Sequence, residues 1–581
     1  MPLGSRSARP AAVEEALVND RLSRLESEVQ RLSRALERIE DRLGSLEQRV
    51  GTQASVATPP VATPVAPAPS DSEIASGITF TGRTLLVLGG GYLLRALTES
   101  GAIPALAGVT LGLTYALVWL LGADRAGAKA RTLSAAFHGA AAVLVAFPLL
   151  WEATSRFQLL SPAASAGCLA FVSGVAVSVA WRRRLRSFAW VTVVGATLTS
   201  VALLIGTRDL ISFGLLLVLV GVATLWLTYH SDWPVVHWIV SGIADVAVAL
   251  LAVGLLIERT NARPAAALVV QLALFALFLG SILYRVVKER HDPGPFEVVQ
   301  TGAVTLIGFG SALWTAPGSL GFALGSVGIA AGAGSYALSL SSRKLTPACA
   351  TYVSGVGFLL FLLGGTAARL EPTFFYALAG VGLSWFGSRF ELPIFRLHGS
   401  AFVLAAAISS GLLVQAAFAF LAPVEYAWPP VGLWLLVSFL AATFAYVLPA
   451  PPGLLGKDRW FVRWRLARLL DLSIAVVALG GIVLAAAAPW TSGRPGESAD
   501  AATLATVRTA VLAASALALS ALGRLERFHE ASWLVYPLLV AGGIKLVLED
   551  FPQGRAVTLF VGLALYGGAL ILAPRAARSS R

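Results

Sequence analysis

An aspartate in the middle of a long apolar run can carry a proton or hold a cation, and Asp245 in VSGIADVAVALLAV is such a residue. A charge at membrane depth costs about 2.5–3.5 kcal/mol on insertion scales, so it marks either a coupling site or a hydrogen-bonded structural joint. Lys545 and Glu549 stand four residues apart in GGIKLVLEDF, with Asp550 adjacent. At that spacing an ammonium and a carboxylate meet on one helix face. The pair serves either as a coupling element or simply to make a buried lysine tolerable. His138, Gln271, Gln300 and Gln415 place further polar groups inside apolar runs, suited to lining a pathway or to hydrogen bonding between helices. Arg95 in GGGYLLRAL adds another intramembrane charge.

Other chemistries find less support. His230, Asp232 and His237 share a short gap but match no usual ligand spacing, so no metal is expected. Cys168 and Cys349 both lie in apolar runs, where a thiol behaves as a small hydrophobe. Gly89-Gly90-Gly91 lacks the Lys-Ser/Thr of a phosphate loop. No nucleophile with its base, paired carboxylates or nucleotide fingerprint is present, so neither cofactor nor catalytic residue is assigned. An enzyme would be a membrane transferase using Glu99 or Glu152 as its acid.

The segment GKDRWFVRWRLARLLDL sets Arg459, Arg463, Arg465 and Arg468 among Trp460, Phe461, Trp464 and Leu470. That pattern suits a helix lying in the interface, its arginines on anionic lipid headgroups. The plainer reading is a basic stop between spans.

The elements that must position these residues are membrane helices. Hydrophobic residues make up 56% of the 581, charged ones only 13%, and mean hydropathy is +0.75, far from a soluble composition. About eighteen spans of near-membrane length follow one another. They are 80–98, 102–121, 133–151, 162–181, 188–206, 210–228, 236–257, 265–284, 297–315, 319–340, 347–367, 373–388, 397–421, 431–449, 472–489, 504–522, 533–549 and 556–573. An all-α transmembrane bundle over 80–573 is therefore expected. Numbering the gaps between spans, the even ones carry Arg125/Lys129/Arg131, Arg182–Arg186, Arg285/Lys288/Arg290, Arg343/Lys344, Arg389/Arg396, Lys457–Arg468 and Arg524/Arg527. The odd gaps hold only scattered arginines, among them Arg156, Arg208, Arg369, Arg494 and Arg555. Basic residues gather on the cytoplasmic side, which predicts both termini there, with 574–581 as a basic tail. A net charge of +12 is thereby explained without nucleic acid. Trp119, Trp151, Trp181, Trp226, Trp314 and Trp490 stand near span ends, as interfacial anchors do. Gly108/Gly112, Gly321/Gly325 and Gly328/Gly332 have the spacing of close helix packing.

Ahead of the bundle, Val18, Leu22, Leu25, Val29, Leu32, Leu36, Ile39, Leu43, Leu46 and Val50 step by three and four. This is an a/d seam of about four heptads, predicting a coiled coil within 1–50 that joins copies of the chain through 18–50. Residues 51–79, with Pro59, Pro60, Pro64, Pro67 and Pro69 among Ala, Thr and Val, read as a semi-rigid spacer.

The coiled coil, the Pro/Ala linker, the first span GRTLLVLGGGYLLRALTESGAIP and the closing GGIKLVLEDFPQGRAVTLFVGLALYGGALIL resemble a bacterial predicted-membrane-protein family known only as a domain of unknown function. The closest matching pieces are Arg95 where the family commonly has Lys, Gly101-Ile103-Pro104, and Lys545 followed by Asp550. The resemblance implies a fold and an inner-membrane location, and carries over no catalytic residue. Two functions are expected: movement or binding of a small solute or lipid-linked molecule, or a scaffold for the envelope that assembles through its coiled coil. Lipids are the expected surroundings in either case.

Overall fold

A computed structural model of the chain describes residues 89–90, 93, 96–98, 100–231, 236–257, 264–341, 345–368, 370–421, 431–449, 458–491 and 500–578. The expected coiled coil at 18–50, the linker, Arg95, Glu99 and most of the expected first span lie outside these residues.

Among the described residues every element is a helix, the one open-ended structure that satisfies its own backbone polar groups in lipid. In chain order they are α1 (Ala105–Ala128), α2 (Thr132–Trp151), α3 (Pro162–Arg182), α4 (Arg186–Thr207), α5 (Leu210–Ser231), α6 (Val236–Ile257), α7 (Pro264–Leu283), α8 (Pro295–Val304), α9 (Gly318–Ser341), α10 (Pro347–Thr366), α11 (Pro372–Arg389), α12 (Pro393–Ser409), α13 (Leu412–Leu421), α14 (Leu433–Val447), α15 (Asp458–Thr491), α16 (Ala501–Leu522), α17 (Ala531–Lys545) and α18 (Ala556–Arg578). π-helical stretches extend α2, α7 and α17, and one at Thr305–Gly310 carries α8 on to Thr315. Prolines at 162, 264, 295, 347, 372 and 393 open their helices, a position whose N–H has no helical partner in any case. Side chains of Ser161 and Thr346 cap two of them, accepting from Ala164 N (3.3 Å) and Cys349 N (3.1 Å).

Among the described residues, fourteen helical units are long and apolar enough to cross a membrane, or fifteen if α12 and α13, bent by 62°, form one. The expected span at 397–421 is that bent pair. Those at 373–388 and 431–449 are helices as well, but α14 has only 15 residues and α11 does not reach the same apolarity. α15 runs unbroken for 34 residues from Asp458. The basic segment expected to lie along the interface is thus continuous, as one helix, with the span Trp464–Ala487.

Small residues hold neighbouring helices close, since lipid offers no hydrophobic drive for helix to seek helix. A Cβ on Gly332 would stand 2.9 Å from Gly357 O, and one on Gly364 2.7 Å from Gly325 O, which locks α9 against α10. Gly387 and Gly399 do the same for α11 and α12, with Arg396 N at 2.5 Å and Ser384 N at 2.6 Å.

Contacts join each even gap, or a helix end bordering it, to the next. Asp124 pairs with Arg183 (2.8 Å), Trp181 meets His230 (rings 5.6 Å apart), and Arg285 lies over Tyr229 (3.9 Å). Thr346 donates to Asp292 (2.5 Å), Tyr336 bonds His398 (3.1 Å), and Arg396 and Arg468 reach Asp471 and Arg527 O (2.5 and 2.9 Å). The even gaps therefore share one face, the basic one. Arg555 with Asp500 (3.3 Å) and Thr373 with Ser409 (3.1 Å) belong to the opposite face.

Candidate functional site

Among the described residues, the most deeply buried cluster of charge lies at the basic face, where α11, α12, α14 and α15 meet the turn before α17. Arg396, in the first turn of α12, is fully buried. Its Nη2 donates to Asp471 Oδ2 (2.5 Å) and Ala445 O (2.8 Å), and its Nη1 to Ser384 Oγ and Ser400 Oγ (2.8 Å each). Asp471 is equally enclosed and takes a further bond from Ser400 Oγ (3.0 Å). One helical turn away, Arg468 pairs with Glu530 (2.7 Å) and lies over the rings of Tyr446 (4.9 Å) and Phe528 (5.3 Å). Trp464 sits beneath Arg396 (5.5 Å). Positions 464, 468 and 471 fall on one stripe of a helix, so a single face of α15 supplies the indole, the guanidinium and the carboxylate. Arg396 Nε, Arg468 Nη2, Trp464 Nε1, Tyr446 OH and Asp471 Oδ1 are buried with no hydrogen-bond partner among the described residues. Donors and an acceptor thus stand ready in a region where an unmade bond costs about 1–3 kcal/mol.

A second cluster forms at the opposite face. Lys545 Nζ reaches Asp550 Oδ2 (2.9 Å) more closely than Glu549 (3.6 Å). The cause is the π turn Leu546–Asp550, whose i→i+5 bonds bring residues five apart together. Arg508 of α16 pairs with Glu549 (2.5 Å), and Thr509 donates to Asp550 (2.7 Å) while accepting from Lys545 (2.7 Å). Lys545 also donates to Ala505 O. Near this cluster but outside the spans, Thr503's hydroxyl and amide hold the Asp500 carboxyl below the usual carboxylate range. The expected Lys545, Glu549 and Asp550 do come together, and Arg508 and Thr509 complete the set.

The discontinuous helix α12–α13 runs between the two clusters. Arg396 anchors its start in the first, and Ala419 O near its end accepts from Arg508 Nε of the second (2.8 Å). Between them the chain breaks at Ser410-Gly411, with Gly411 at φ +74°, a left-handed conformation that glycine adopts without strain.

Asp245 is buried on α6 and accepts from Gln300 Nε2 of α8 (3.1 Å), while Gln271 accepts from Thr315 (3.0 Å) and Thr301 bonds Tyr352. These are bridges between helices, apart from the two charge clusters. His138 packs edge-on to Trp119 and Phe137 (ring centroids 5.1 and 5.8 Å). Arg468 faces inward onto Glu530 and does not reach outward to headgroups; it lies on the stripe of α15 that the neighbouring helices cover. Arg465 lies over Trp533 (5.6 Å), and the side chains of Arg459 and Arg463 lie outside the described residues. Among the described residues no group of three His, Cys, Asp or Glu is placed to hold a metal ion. Arg396 and Asp471 escaped the sequence reading because both stood at the edges of gaps. Arg508 did carry a signal, as a lone cation in AATLATVRTAVLAAS.

A family model described as a predicted membrane protein, DUF2339, matches residues 77–578. No curated protein and no solved structure matches the chain.

Proposed function

From the premise that the chain belongs to the DUF2339 family of predicted membrane proteins, we propose that it moves a small charged solute across the membrane, with α12–α13 as the element that shifts. The observation that carries this reading is the broken helix tied at each end to a buried charge cluster on opposite faces. Discontinuous helices are where transporters build their sites, and here the break lies toward the opposite face, where Ser409 meets Thr373. The positive-inside rule supports reading the basic face as cytoplasmic, with both termini on that side of a bacterial inner membrane.

The test uses reconstituted protein, its two native cysteines replaced, and a panel of radiolabelled carboxylate, phosphate and ammonium solutes in counterflow. Gly481 of α15 faces Ala416 of α13, where a Cβ would stand 3.2 Å from Ala416 Cα and 3.4 Å from its Cβ, so cysteines at these two positions bring their thiols together across the α13–α15 seam. Flux of one solute class that Ala416→Cys/Gly481→Cys loses on oxidation and regains on reduction supports the reading. No flux for any class, or flux that ignores the cross-link, overturns it. The scaffold reading keeps one specific support, the heptad seam at 18–50. A peptide of those residues that sediments as an oligomer, and as a monomer after Leu32 and Leu36 are made polar, would establish self-association.

A further inference from the structure

A groove of about 460 Å³ runs between α3, α4 and α5, far along the chain from the charge clusters. We infer that it holds one acyl chain of an anionic phospholipid, whose headgroup rests on the arginines of the α3–α4 turn. The lining is apolar, with Val177, Val193, Leu216, Leu219, Val220 and Ala223 prominent. Its hydroxyls are spent on their own helices: Ser173 donates to Leu169 O (2.6 Å), Ser178 to Gly174 O (2.7 Å) and Thr192 to Phe188 O (2.9 Å). Their protons are thus engaged, and they offer an anionic or carbonyl-bearing solute no free donor. A hydrocarbon chain needs none.

The dimensions fit one leaflet. Along α3 the lining extends from Ala170 to Trp181, about 16 Å at 1.5 Å per residue, which is half of a hydrocarbon core of about 30 Å. At its end toward the basic face stand Trp181, Trp226 and His230, with ring centroids 5.6 and 5.9 Å apart. Aromatic rings of this kind sit at headgroup depth. Just beyond them Arg182, Arg184 and Arg186 are exposed. Asp124 answers only Arg182 and Arg183 (3.2 and 2.8 Å). The surplus of positive charge at the mouth selects an anionic headgroup, and the groove selects one chain of that lipid.

Full-length protein in nanodiscs containing phosphatidylglycerol with a photoreactive group halfway along one chain tests the assignment. Cross-links should map chiefly to peptides bearing Val177 and Leu219. Phosphatidylcholine with the same chain should label them at least threefold less. Gly174 borders the groove, and a Cβ there meets nothing within 4 Å, so Gly174→Phe puts a ring into the groove and should cut labelling at least fivefold. Gly254→Phe, on α6 in equally open space and outside the lining of the groove, should leave it unchanged. Ala223→Trp fills the same space from α5 and serves should the first variant fold poorly. Arg184→Gln with Arg186→Gln should erase the preference between the two lipids. Equal labelling by both lipids in the unaltered protein overturns the inference, and so does groove labelling that survives in a folded filling variant.

Discussion

Removing one member of a buried ion pair strands the other in a medium that cannot solvate it. Arg396→Met should therefore lower stability by about 3–5 kcal/mol, whereas Arg396→Met with Asp471→Leu should recover much of the loss. Thermal unfolding in detergent for the single and double variants checks this, and equal destabilisation by both would refute it. Asp245 presents the milder case, since its one described bond is accepted from an amide. Asp245→Asn keeps an acceptor and should be nearly silent in the same assay, whereas Asp245→Leu leaves Gln300 unsatisfied and should cost about 1–3 kcal/mol. A large loss in the Asn variant would return Asp245 to the role of a coupling residue. Asp245 was legible because nothing else in its run is charged. Arg396 and Asp471 were not, because only the packing of α12 against α15 reveals that residues at the edges of two separate basic gaps face inward.

Helix ends and breaks show where local chemistry sets the architecture. Asp292, in the turn before α8, accepts from the Thr346 hydroxyl (2.5 Å), and the Cys349 thiol lies 3.5 Å away, so its carboxyl is held below the usual carboxylate range, chiefly by Thr346. A carboxylate whose folded pKa is lowered stabilises fully above its unfolded value of about 3.9 and loses that contribution as pH falls through the lower folded value. The melting temperature of the unaltered protein should exceed that of Asp292→Asn at pH 6, and the gap should close toward pH 3. A constant gap would contradict the assignment. The starts at Pro162 and Pro347 coincide with the expected spans 162–181 and 347–367, whereas α12 begins at Pro393, four residues ahead of the expected 397. The π turn after Lys545 was not readable, because the sequence shows a four-residue spacing to Glu549 and only the widened turn gives Asp550 the shorter contact. The break at Ser410-Gly411 was likewise hidden in an apolar stretch long enough to read as one span.

For the whole molecule, the alternation of basic gaps already contained the two-faced organisation, and the contacts that link every even gap, or a helix end bordering it, to the next give it physical form. A reporter fused after Arg186 should lie in the cytoplasm and one near Gly493 outside; a cytoplasmic signal at Gly493 would break the arrangement. The central claim is that α12–α13 takes two positions between its charge clusters. Spin labels at Leu421 and Val557, exposed to 80% and 74% on the same face as the second cluster, test it most directly by pulsed electron resonance in nanodiscs. Two distance populations are expected, with a ratio that shifts when Arg508→Gln frees the Ala419 carbonyl. A single narrow population, unmoved by that substitution, would contradict it.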